Sequence, residues 1–408
     1  MQDSVDLAVV GAGAAGLVAA ISAARRGASV AVVERLPWIG KKILATGGGR
    51  CNLLNSGLSP SAYTSSAPGL VASVLDRFGR AEIRAFFEEL GLRLQTDNEG
   101  RVYPLTNQAA SVLKVLEREI GRLGVGVINR FEVERIERVA ERFRISASDG
   151  RTVESRAVVI AGGGRSYPAL GSNGSCYGLA VSLGHAVVRP VPSAVPLVVR
   201  DRMCHLLQGQ RLRVRAESRI GGRTGQTAEG ELLFAQYGLS GTAILDVSES
   251  VSIALNRDGR RDVLAVVDFL PTMTAGELSG ELARRLKAGW TPDDLTSGLL
   301  PEKFSLFFPP ISREAGCVPD REDIDDVARR LAALLKAREF NVQATRGWNE
   351  AEFTSGGVDA REVKPGTLES KLRRGLYFAG EVLDVQGGRG GYNLAWAWAS
   401  GFVAGLAE

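Results

Sequence analysis

The chain has 408 residues, of which 45% are hydrophobic and 24% are charged, and its formal net charge at pH 7 is +4. The length allows more than one domain with a large core, and the composition is that of an ordinary globular protein. Such a small charge gives no argument for nucleic-acid binding, and no run of about 18 apolar residues predicts a membrane span. The N-terminus lacks the basic segment of a secretory signal peptide, so we expect a cytoplasmic protein.

The four cysteines lie far apart in the sequence and form no CxxC pair. This spacing indicates neither a zinc-type metal site nor the redox disulfide of the disulfide reductases. The two histidines provide little for a histidine metal site or a Ser-His-Asp triad. We therefore expect no bound metal.

The first 16 residues end in the pattern of a dinucleotide-binding turn. Residues 7–10 form a short apolar strand, and Gly11, Gly13 and Gly16 follow with the GxGxxG spacing. The first glycine permits a tight turn, the second lets a pyrophosphate approach the backbone, and the third lets the helix pack on the strand. The helix that begins here directs its positive N-terminal end at the phosphates.

A second apolar run, residues 29–33, ends at Glu34. This carboxylate lies about 20 residues beyond the glycines, where an acid binds the ribose hydroxyls of a dinucleotide. Because it would repel a 2′-phosphate, the site favours FAD or NAD over NADP. Residues 47–49 then place three glycines directly before Arg50, and their backbone N–H groups can face an anion or a flat ring along the same cofactor.

The middle of the chain alternates helical and strand patterns. Apolar spacing predicts helices over 70–94 and 109–122, and residues 126–129 and 143–147 suggest an antiparallel excursion from the sheet. Residues 156–161 form a buried parallel strand that ends on glycines, at the edge where open α/β sheets bind ligands. No second GxGxxG opens a helix, so we predict no second dinucleotide domain.

The pattern changes after His185. Arg211, Arg213 and Arg215 alternate with apolar residues and predict an amphipathic strand. Two interpretations stay open for these arginines: a solvated face of an antiparallel domain, or an anion-binding face for a carboxylated or CoA-linked substrate. Helical patterns follow over 274–308, with Pro309 and Pro310 as breakers, and over 323–338.

The C-terminal region returns to the dinucleotide pattern. Residues 375–384 predict a strand that ends near Glu381, and Gly391 then opens a final helix. The positive end of such a helix can face a flavin, whose reduction places negative charge near N1 and the C2 carbonyl. If the helix end stabilises the reduced flavin by up to about 2 kcal/mol, the two-electron reduction potential of the flavin rises by about 40 mV.

Together these motifs resemble the BaiN-like NAD(P)/FAD-dependent oxidoreductases over nearly the whole chain. The most specific stretches are GRCN at 49–52 and GGYNL at 390–394. The resemblance implies an α/β fold with a Rossmann-like FAD-binding domain in two chain segments, an inserted β-barrel-like domain and a small helical domain. The expected boundaries are 1–189 and 346–408 for the FAD-binding domain, 190–270 with 311–345 for the β-rich domain, and 271–310 for the helical one.

The resemblance also implies the cofactor-binding residues. The first glycines and Glu34 would hold the ADP half of FAD, residues 47–52 would line the pyrophosphate and ring, Glu381 would bind the ribityl chain, and residues 391–393 would face the pyrimidine edge. The sequence departs from the family pattern at Ser175–Cys176, near the presumed substrate face, and at Ala395. The complete predicted set is Gly11, Gly13, Ala14, Ala15, Gly16, Glu34, Arg35, Lys42, Gly47, Gly48, Gly49, Arg50, Cys51, Asn52, Ala161, Gly162, Gly163, Gly380, Glu381, Gly391, Tyr392, Asn393 and Leu394.

The leading functional prediction is an FAD-dependent oxidoreductase that transfers a hydride between the flavin and a small organic substrate at the junction of the FAD domain and the insertion. NADH or NADPH is a candidate transient donor. Arg50, Tyr167, Tyr237 and Tyr392 are candidates for orienting the substrate or donating a proton. The alternatives are a flavin-dependent RNA-modifying enzyme, which would use the arginine strand, and a non-enzymatic flavin-binding sensor. The sequence does not assign an oligomeric state.

Overall fold

The computed structural model describes residues 4–306 and 323–406. The chain divides into two compact units, Met1–Pro190 with Phe353–Glu408, and Val191–Glu352. Pro309, Pro310, Cys317 and the predicted boundary between residues 310 and 311 lie outside the described residues. The finer division of the insertion into β-rich and helical parts stays a prediction.

The secondary structure alternates strands and helices along both units. In chain order the strands are β1 (Ser4–Val10), β2 (Val30–Glu34), β3 (Leu54–Asn55), β4 (Tyr63–Ser65), β5 (Leu94–Thr96), β6 (Arg101–Pro104), β7 (Gly126–Asn129), β8 (Val133–Val139), β9 (Arg142–Ala147), β10 (Thr152–Ile160), β11 (Val187–Ser193), β12 (Leu197–Val199), β13 (Arg211–Ile220), β14 (Arg223–Ala235), β15 (Gly238–Ser240), β16 (Val263–Asp268), β17 (Arg338–Thr345), β18 (Phe353–Val358), β19 (Leu376–Phe378) and β20 (Val385–Gly387). The helices are α1 (Ala14–Arg25), α2 (Lys41–Ala45), α3 (Pro68–Arg77), α4 (Arg80–Glu89), α5 (Ala109–Arg122), α6 (Ser175–Ser182), α7 (Arg202–Leu206), α8 (Thr242–Ser252), α9 (Ala275–Lys287), α10 (Ile324–Lys336) and α11 (Tyr392–Ala404).

A seven-stranded sheet forms the centre of the first unit. Its order is β7-β2-β1-β10-β9-β8, and β19 also pairs with β10. Strands β7, β2, β1, β10 and β19 pair in parallel, whereas β9 and β8 continue the sheet antiparallel. Val9 of β1 lies in register with Val32 on one side and Val159 on the other. A central parallel strand is covered on both faces, which explains its continuous apolar run.

Two predictions for this unit need correction. The helix expected over 70–94 is two helices, α3 and α4, because Gly79 is the N-cap of α4 and its N–H donates to Glu82 Oε2 at 3.0 Å. Residues 126–129 belong to the parallel edge strand β7 and not to an antiparallel excursion. That excursion consists of β8 and β9, and β8 carries mostly exposed charged residues that hide its strand pattern.

The second unit contains a closed barrel of six antiparallel strands. Its order is β12-β15-β14-β13-β16-β17, and β17 pairs with β12 to close it. Helix α8 packs against β13 and β14, and α9 packs against α10. Apolar side chains from the barrel and its helices form one buried core, which includes Val214, Phe234 and Phe340. The structure thus confirms a Rossmann-like fold in two chain segments that is interrupted by a barrel.

Candidate functional site

Two parallel helices of the first unit present their N-terminal ends on the same side. A Cβ atom added to Gly401 would overlap the carbonyl oxygen of Ala15, and one added to Gly405 would overlap that of Ala19. Residue numbers therefore rise together along α1 and α11, and the helices run in the same direction. Because α11 extends eight residues further toward its N-terminus, that end lies about 12 Å beyond the N-terminal end of α1 along the axis.

The N-terminal end of α1 is open to a ligand. Gly11 has φ of +102°, and a Cβ there would lie 2.7 Å from the carbonyl oxygen of Ala161, so only glycine fits this turn. A Cβ on Gly13 would meet no atom within 4 Å. The first turn has no acidic residue and no side-chain cap. Its N–H groups and positive dipole are therefore available to an anion such as pyrophosphate.

Glu34 lies at the position predicted for a ribose-binding acid. The residue is 9% exposed, and its Oε2 accepts a hydrogen bond of 2.8 Å from the N–H of Ala12, while Oε1 accepts one of 2.9 Å from Leu36. These bonds fix the carboxylate beside the glycine turn and leave further acceptor positions on both oxygens. Within the described chain, Nη1 of the neighbouring Arg35 is buried without a hydrogen-bond partner. Glu34 thus offers hydrogen-bond acceptors, and Arg35 a hydrogen-bond donor, to a bound nucleoside.

Cys176 lies beside the dinucleotide turn, because it packs against Gly162, which adjoins Gly11. Its predicted place near a substrate face stays a prediction. Its thiol is buried against Gly162, where an added Cβ would overlap the sulfur. Burial raises the pKa of this thiol to about 11, and the negative charge of Glu34 contributes to the increase. The thiol is therefore protonated and unreactive at neutral pH.

The carboxylate of Glu381 accepts four hydrogen bonds from other parts of the first unit. Its Oε2 accepts from Lys42 Nζ at 2.8 Å and from the Gly164 N–H at 3.4 Å. Its Oε1 accepts from the Thr354 N–H at 2.8 Å and from Ser166 Oγ at 3.2 Å. A carboxylate has about four lone-pair positions. A ribityl hydroxyl that binds Glu381 must therefore share or replace one of these donors.

The glycine loop after α2 adopts a left-handed backbone. Gly47, Gly48 and Gly49 have φ of +58°, +65° and +85°, and all three are exposed. The Arg50 guanidinium lies 4.7 Å from the centre of the Tyr103 ring. Cys51 is buried, and burial raises the pKa of its thiol to about 12. The loop therefore offers bare backbone and no reactive sulfur.

Side chains from two distant segments hold the loop that precedes α11. Tyr63 donates from its hydroxyl to the Tyr392 carbonyl at 2.7 Å, and Asn55 Nδ2 donates to the Gly390 carbonyl at 2.9 Å. Asn393 uses its own amide on this loop, because it accepts from the Gly387 N–H at 2.9 Å and donates to the Gly387 carbonyl at 2.8 Å. Sequence reasoning missed Tyr63 and Asn55, since no local pattern links them to a helix more than 300 residues away.

The remaining predicted cofactor residues lie near the same two helix ends. Ala14, Ala15 and Gly16 form the first turn of α1, and Leu394 lies in the first turn of α11. Ala161, Gly162 and Gly163 follow β10, beside the turn at Gly11. A Cβ on Gly380 would lie 2.8 Å from the Cβ of Ala15, so this glycine also sits against α1.

The catalytic candidates are divided between the units. Arg50, Tyr167 and Tyr392 belong to the first unit, and Tyr392 begins α11. Tyr167 has a left-handed backbone with φ of +52° and precedes Pro168. Tyr237 belongs to the barrel unit, where the Arg346 guanidinium lies 4.6 Å from the centre of its ring.

The arginine strand of the barrel faces acidic side chains. Arg211, Arg213 and Arg215 are exposed on β13, which pairs with β14. Arg211 Nη1 lies 2.9 Å from Glu231 Oε1, and Arg213 Nη2 lies 4.0 Å from Glu229 Oε2. The row is thus partly neutralised, which favours a solvated face over a dedicated anion-binding face.

The described part of the chain shows neither a membrane-spanning helix nor a group of metal ligands. No helix within 4–306 and 323–406 is long and apolar enough to cross a membrane. In the same ranges, no three His, Cys, Asp or Glu side chains form a group that could hold a metal ion.

Comparisons with known proteins complete the description of the site. The sequence matches the family described as HI0933-like protein Rossmann domain over residues 5–407. It is 36% identical over 405 residues to the 3-dehydro-bile acid delta(4,6)-reductase of Clostridium scindens, with 98% of each chain covered. It is 32% identical over 413 residues to the ribosomal RNA dihydrouridine synthase of Haemophilus influenzae, with 98% of this chain and 97% of that one covered.

Among solved structures, the fold is similar to that of the 3-ketosteroid delta1-dehydrogenase of Sterolibacterium denitrificans in complex with 1,4-androstadiene-3,17-dione. The TM-score is 0.51 at 15% identity, and 99% of both chains are covered. At this identity the similarity concerns the fold alone.

Proposed function

Because the chain belongs to the HI0933-like Rossmann-domain family, we propose that it is an FAD-dependent oxidoreductase that reduces a carbon–carbon double bond conjugated to a carbonyl group. The observation that best supports FAD binding is the parallel packing of α1 and α11 through Gly401. Their N-terminal ends are offset by about 12 Å along the axis. An extended dinucleotide can place its pyrophosphate at the first end and its flavin at the second.

The chain's residues fit such a cofactor along this line. Gly13 leaves room for a pyrophosphate, and Glu34 and Arg35 offer polar atoms to the adenosine half. Lys42 is bonded to Glu381, whose neighbour Gly380 packs against α1. The positive end of α11 would favour negative charge on the flavin ring. When bound, FAD supplies the hydride, and NADH or NADPH is the proposed source of electrons.

The names of the two curated relatives indicate one type of substrate. A delta(4,6)-reductase of a 3-dehydro-bile acid acts on double bonds conjugated to a 3-oxo group. A dihydrouridine synthase acts on the C5–C6 double bond of uridine, which is conjugated to the C4 carbonyl. Steroid dienone and uracil thus share an electrophilic β carbon. We extend this shared chemistry to the present chain.

Reduction of such a bond requires groups that the chain must supply. The hydride goes to the β carbon, the electron pair of the double bond moves toward the carbonyl oxygen, and a proton then goes to the α carbon. A donor near the oxygen and an acid near the α carbon are therefore needed. Arg50, Tyr167, Tyr237 and Tyr392 remain the candidates for these roles.

A small molecule is the favoured substrate, and RNA is the second candidate. The reductase named for a bile acid is 36% identical to this chain, against 32% for the enzyme named for ribosomal RNA. The arginine row on β13 faces Glu229 and Glu231, which weakens its attraction for a polyanion. RNA is the second candidate because the relative named for ribosomal RNA matches the chain over nearly its whole length.

Anaerobic product analysis tests the proposal. The FAD-loaded protein is incubated with NADH or NADPH and, in separate arms, with a 3-oxo-4,6-diene steroid acid, with the corresponding saturated 3-oxo steroid acid, and with uridine-containing ribosomal RNA. Mass spectrometry then measures the gain of hydrogen atoms in each substrate. The saturated steroid is the matched control, because it keeps the carbonyl and lacks the double bonds.

We expect the dienone to gain two hydrogen atoms per reduced bond and the saturated steroid to remain unchanged. Reduction of uridine with an unchanged dienone would assign RNA as the substrate within the same chemistry. If neither arm changes although the flavin is reduced by the nucleotide and reoxidised by air, the proposed reductase activity is wrong.

A further inference from the structure

Asn52 carries a buried amide oxygen without a partner. The residue is 8% exposed, and within the described chain its Oδ1 accepts no hydrogen bond. A buried unsatisfied polar group costs about 1–3 kcal/mol. Such a cost at a position between two functional segments suggests that a ligand supplies the missing donor.

The unpartnered oxygen lies at the N-terminal end of α11. A Cβ added to Gly391, the residue that precedes this helix, would lie 2.9 Å from Asn52 Oδ1. On its other side Asn52 adjoins the glycine loop, because a Cβ added to Gly47 would lie 2.9 Å from the Asn52 backbone nitrogen. Asn52 thus connects the loop predicted to line the cofactor ring with the helix end predicted to face it.

A second buried asparagine shows that this lack of a partner is not general. Asn55 is also 8% exposed, yet its Nδ2 donates to the Gly390 carbonyl and its Oδ1 accepts from the Gly57 N–H at 2.8 Å. Both ends of the Asn55 amide are therefore used within the protein. Asn52, three residues earlier, has an oxygen left for a ligand.

The chemical pattern at this point matches one edge of a flavin. The pyrimidine edge presents the acceptor C2=O, the donor N3–H and the acceptor C4=O. The first turn of α11 offers N–H donors and has neither an acidic residue nor a side-chain cap. We propose that Asn52 accepts a hydrogen bond from the flavin N3–H, while the N-terminal turn of α11 faces the C2 carbonyl. This inference rests on the proposed binding of FAD.

The test combines a change in the protein with a change in the ligand. Apoprotein is titrated with FAD and with N3-methyl-FAD, which lacks the donor and adds bulk at the same atom. Titrations are made on the unaltered protein, on Asn52→Ala and on Asn98→Ala. Asn98 is exposed on the turn between β5 and β6 and serves as the matched control. Flavin fluorescence gives the dissociation constants, and circular dichroism checks the fold of each apoprotein.

In the unaltered protein and in Asn98→Ala, we expect N3-methyl-FAD to bind about ten-fold or more weakly than FAD. The methyl group removes a neutral hydrogen bond and leaves the Asn52 oxygen buried without a donor. In Asn52→Ala we expect the two dissociation constants to differ by less than about three-fold. The alanine removes the acceptor and leaves space for the methyl group. Equal penalties in all three proteins would overturn the inference and leave FAD binding intact.

Asn52→Asp keeps the shape of the side chain and provides a second readout. The carboxylate places negative charge beside the flavin, so we expect a lower flavin reduction potential than in the unaltered protein. An unchanged potential in a folded, FAD-loaded Asn52→Asp protein would contradict the inference. Failure of the unaltered protein to bind FAD at all would instead refute the proposed function.

Discussion

The carbonyl oxygen of Ala15 lies so close to Gly401 that no side chain fits between α1 and α11 at this point. The same relationship recurs one turn later between Ala19 and Gly405. Glycine at both positions lets two buried helices approach closely while they run in the same direction. The proposed cofactor site depends on this contact, because it sets the offset between the two positive helix ends.

Gly401→Ala should separate the two helices. We expect a loss of about 1–3 kcal/mol in the free energy of unfolding, because the added methyl group overlaps backbone atoms that cannot move independently. Denaturant unfolding of the apoprotein measures this loss. Gly280→Ala is the matched control, since Gly280 lies on the exposed face of α9 with no atom within 4 Å of an added Cβ. There the alanine should leave stability unchanged or raise it by up to about 1 kcal/mol.

Gly13→Ala should weaken cofactor binding and leave the stability of the protein unchanged. The backbone of Gly13 has φ of −84°, which alanine adopts without strain, and its added Cβ would meet no protein atom. We therefore expect an unchanged free energy of unfolding. FAD affinity should fall by about ten-fold or more, because the methyl group occupies the space for the pyrophosphate. Titration with FAD measures this affinity, and Gly121→Ala is the control, because Gly121 lies on the exposed face of α5 with no atom within 4 Å of an added Cβ. Equal affinity in the two variants would contradict the assignment of the pyrophosphate.

Lys42 and Glu381 should be energetically coupled. Lys42→Met and Glu381→Gln each break the 2.8 Å ion pair. The first change leaves the Glu381 carboxylate without its cation, and the second leaves the Lys42 ammonium group without its anion. In a double-mutant cycle on the apoprotein we expect a coupling free energy of about 1–3 kcal/mol. Strict additivity of the two changes would show that the carboxylate is held by its other donors and that Lys42 is not part of the network.

Stability should decline with falling pH because of His185. Burial lowers the pKa of this histidine below its ordinary value of 6.5, although Glu362 opposes the shift. Its Nδ1 lies 3.0 Å from Glu362 Oε2, its Nε2 lies 2.8 Å from Ser370 Oγ, and the positive charge of Arg373 also disfavours protonation. The unfolded chain then binds a proton more readily than the folded one, so stability is full above about pH 6.5 and is lost as the pH falls toward the folded pKa.

The two histidines of the chain allow a direct comparison for this prediction. His185→Gln should flatten the dependence of the unfolding free energy on pH between about 7 and 5. His205→Gln should leave that dependence as it is in the unaltered protein, because His205 is exposed on α7. Identical slopes in both variants would mean that the buried histidine does not cause the pH dependence.

Much of the first unit could be predicted because its signals are local. Strand β1, the glycine turn, α1 and Glu34 lie within about 30 residues and follow the known spacing of a βαβ unit. Helix α5 spans the predicted residues 109–122, since its apolar stripe is regular. The family resemblance drawn from GRCN and GGYNL is confirmed by the match over residues 5–407.

The missed features depend on contacts between distant residues. Tyr63 and Tyr392 meet across 329 positions, and Lys42 and Glu381 meet across 339. Neither pair leaves a periodic pattern in the sequence. The location of Cys176 beside Gly162 was also beyond local reasoning, because it depends on how α6 folds back on the end of β10. Helix α8 was not predicted, although it is largely buried in the barrel unit.

The central claim is tested most directly by a single turnover of the reduced protein. The purified protein is loaded with FAD, reduced without oxygen, and mixed rapidly with a conjugated dienone while the visible flavin absorption band is recorded. We predict that the band returns in proportion to the dienone added, and that the saturated steroid leaves the flavin reduced. A flavin that stays reduced with the dienone and with uridine-containing RNA, and recovers its band only when air enters, would contradict the account.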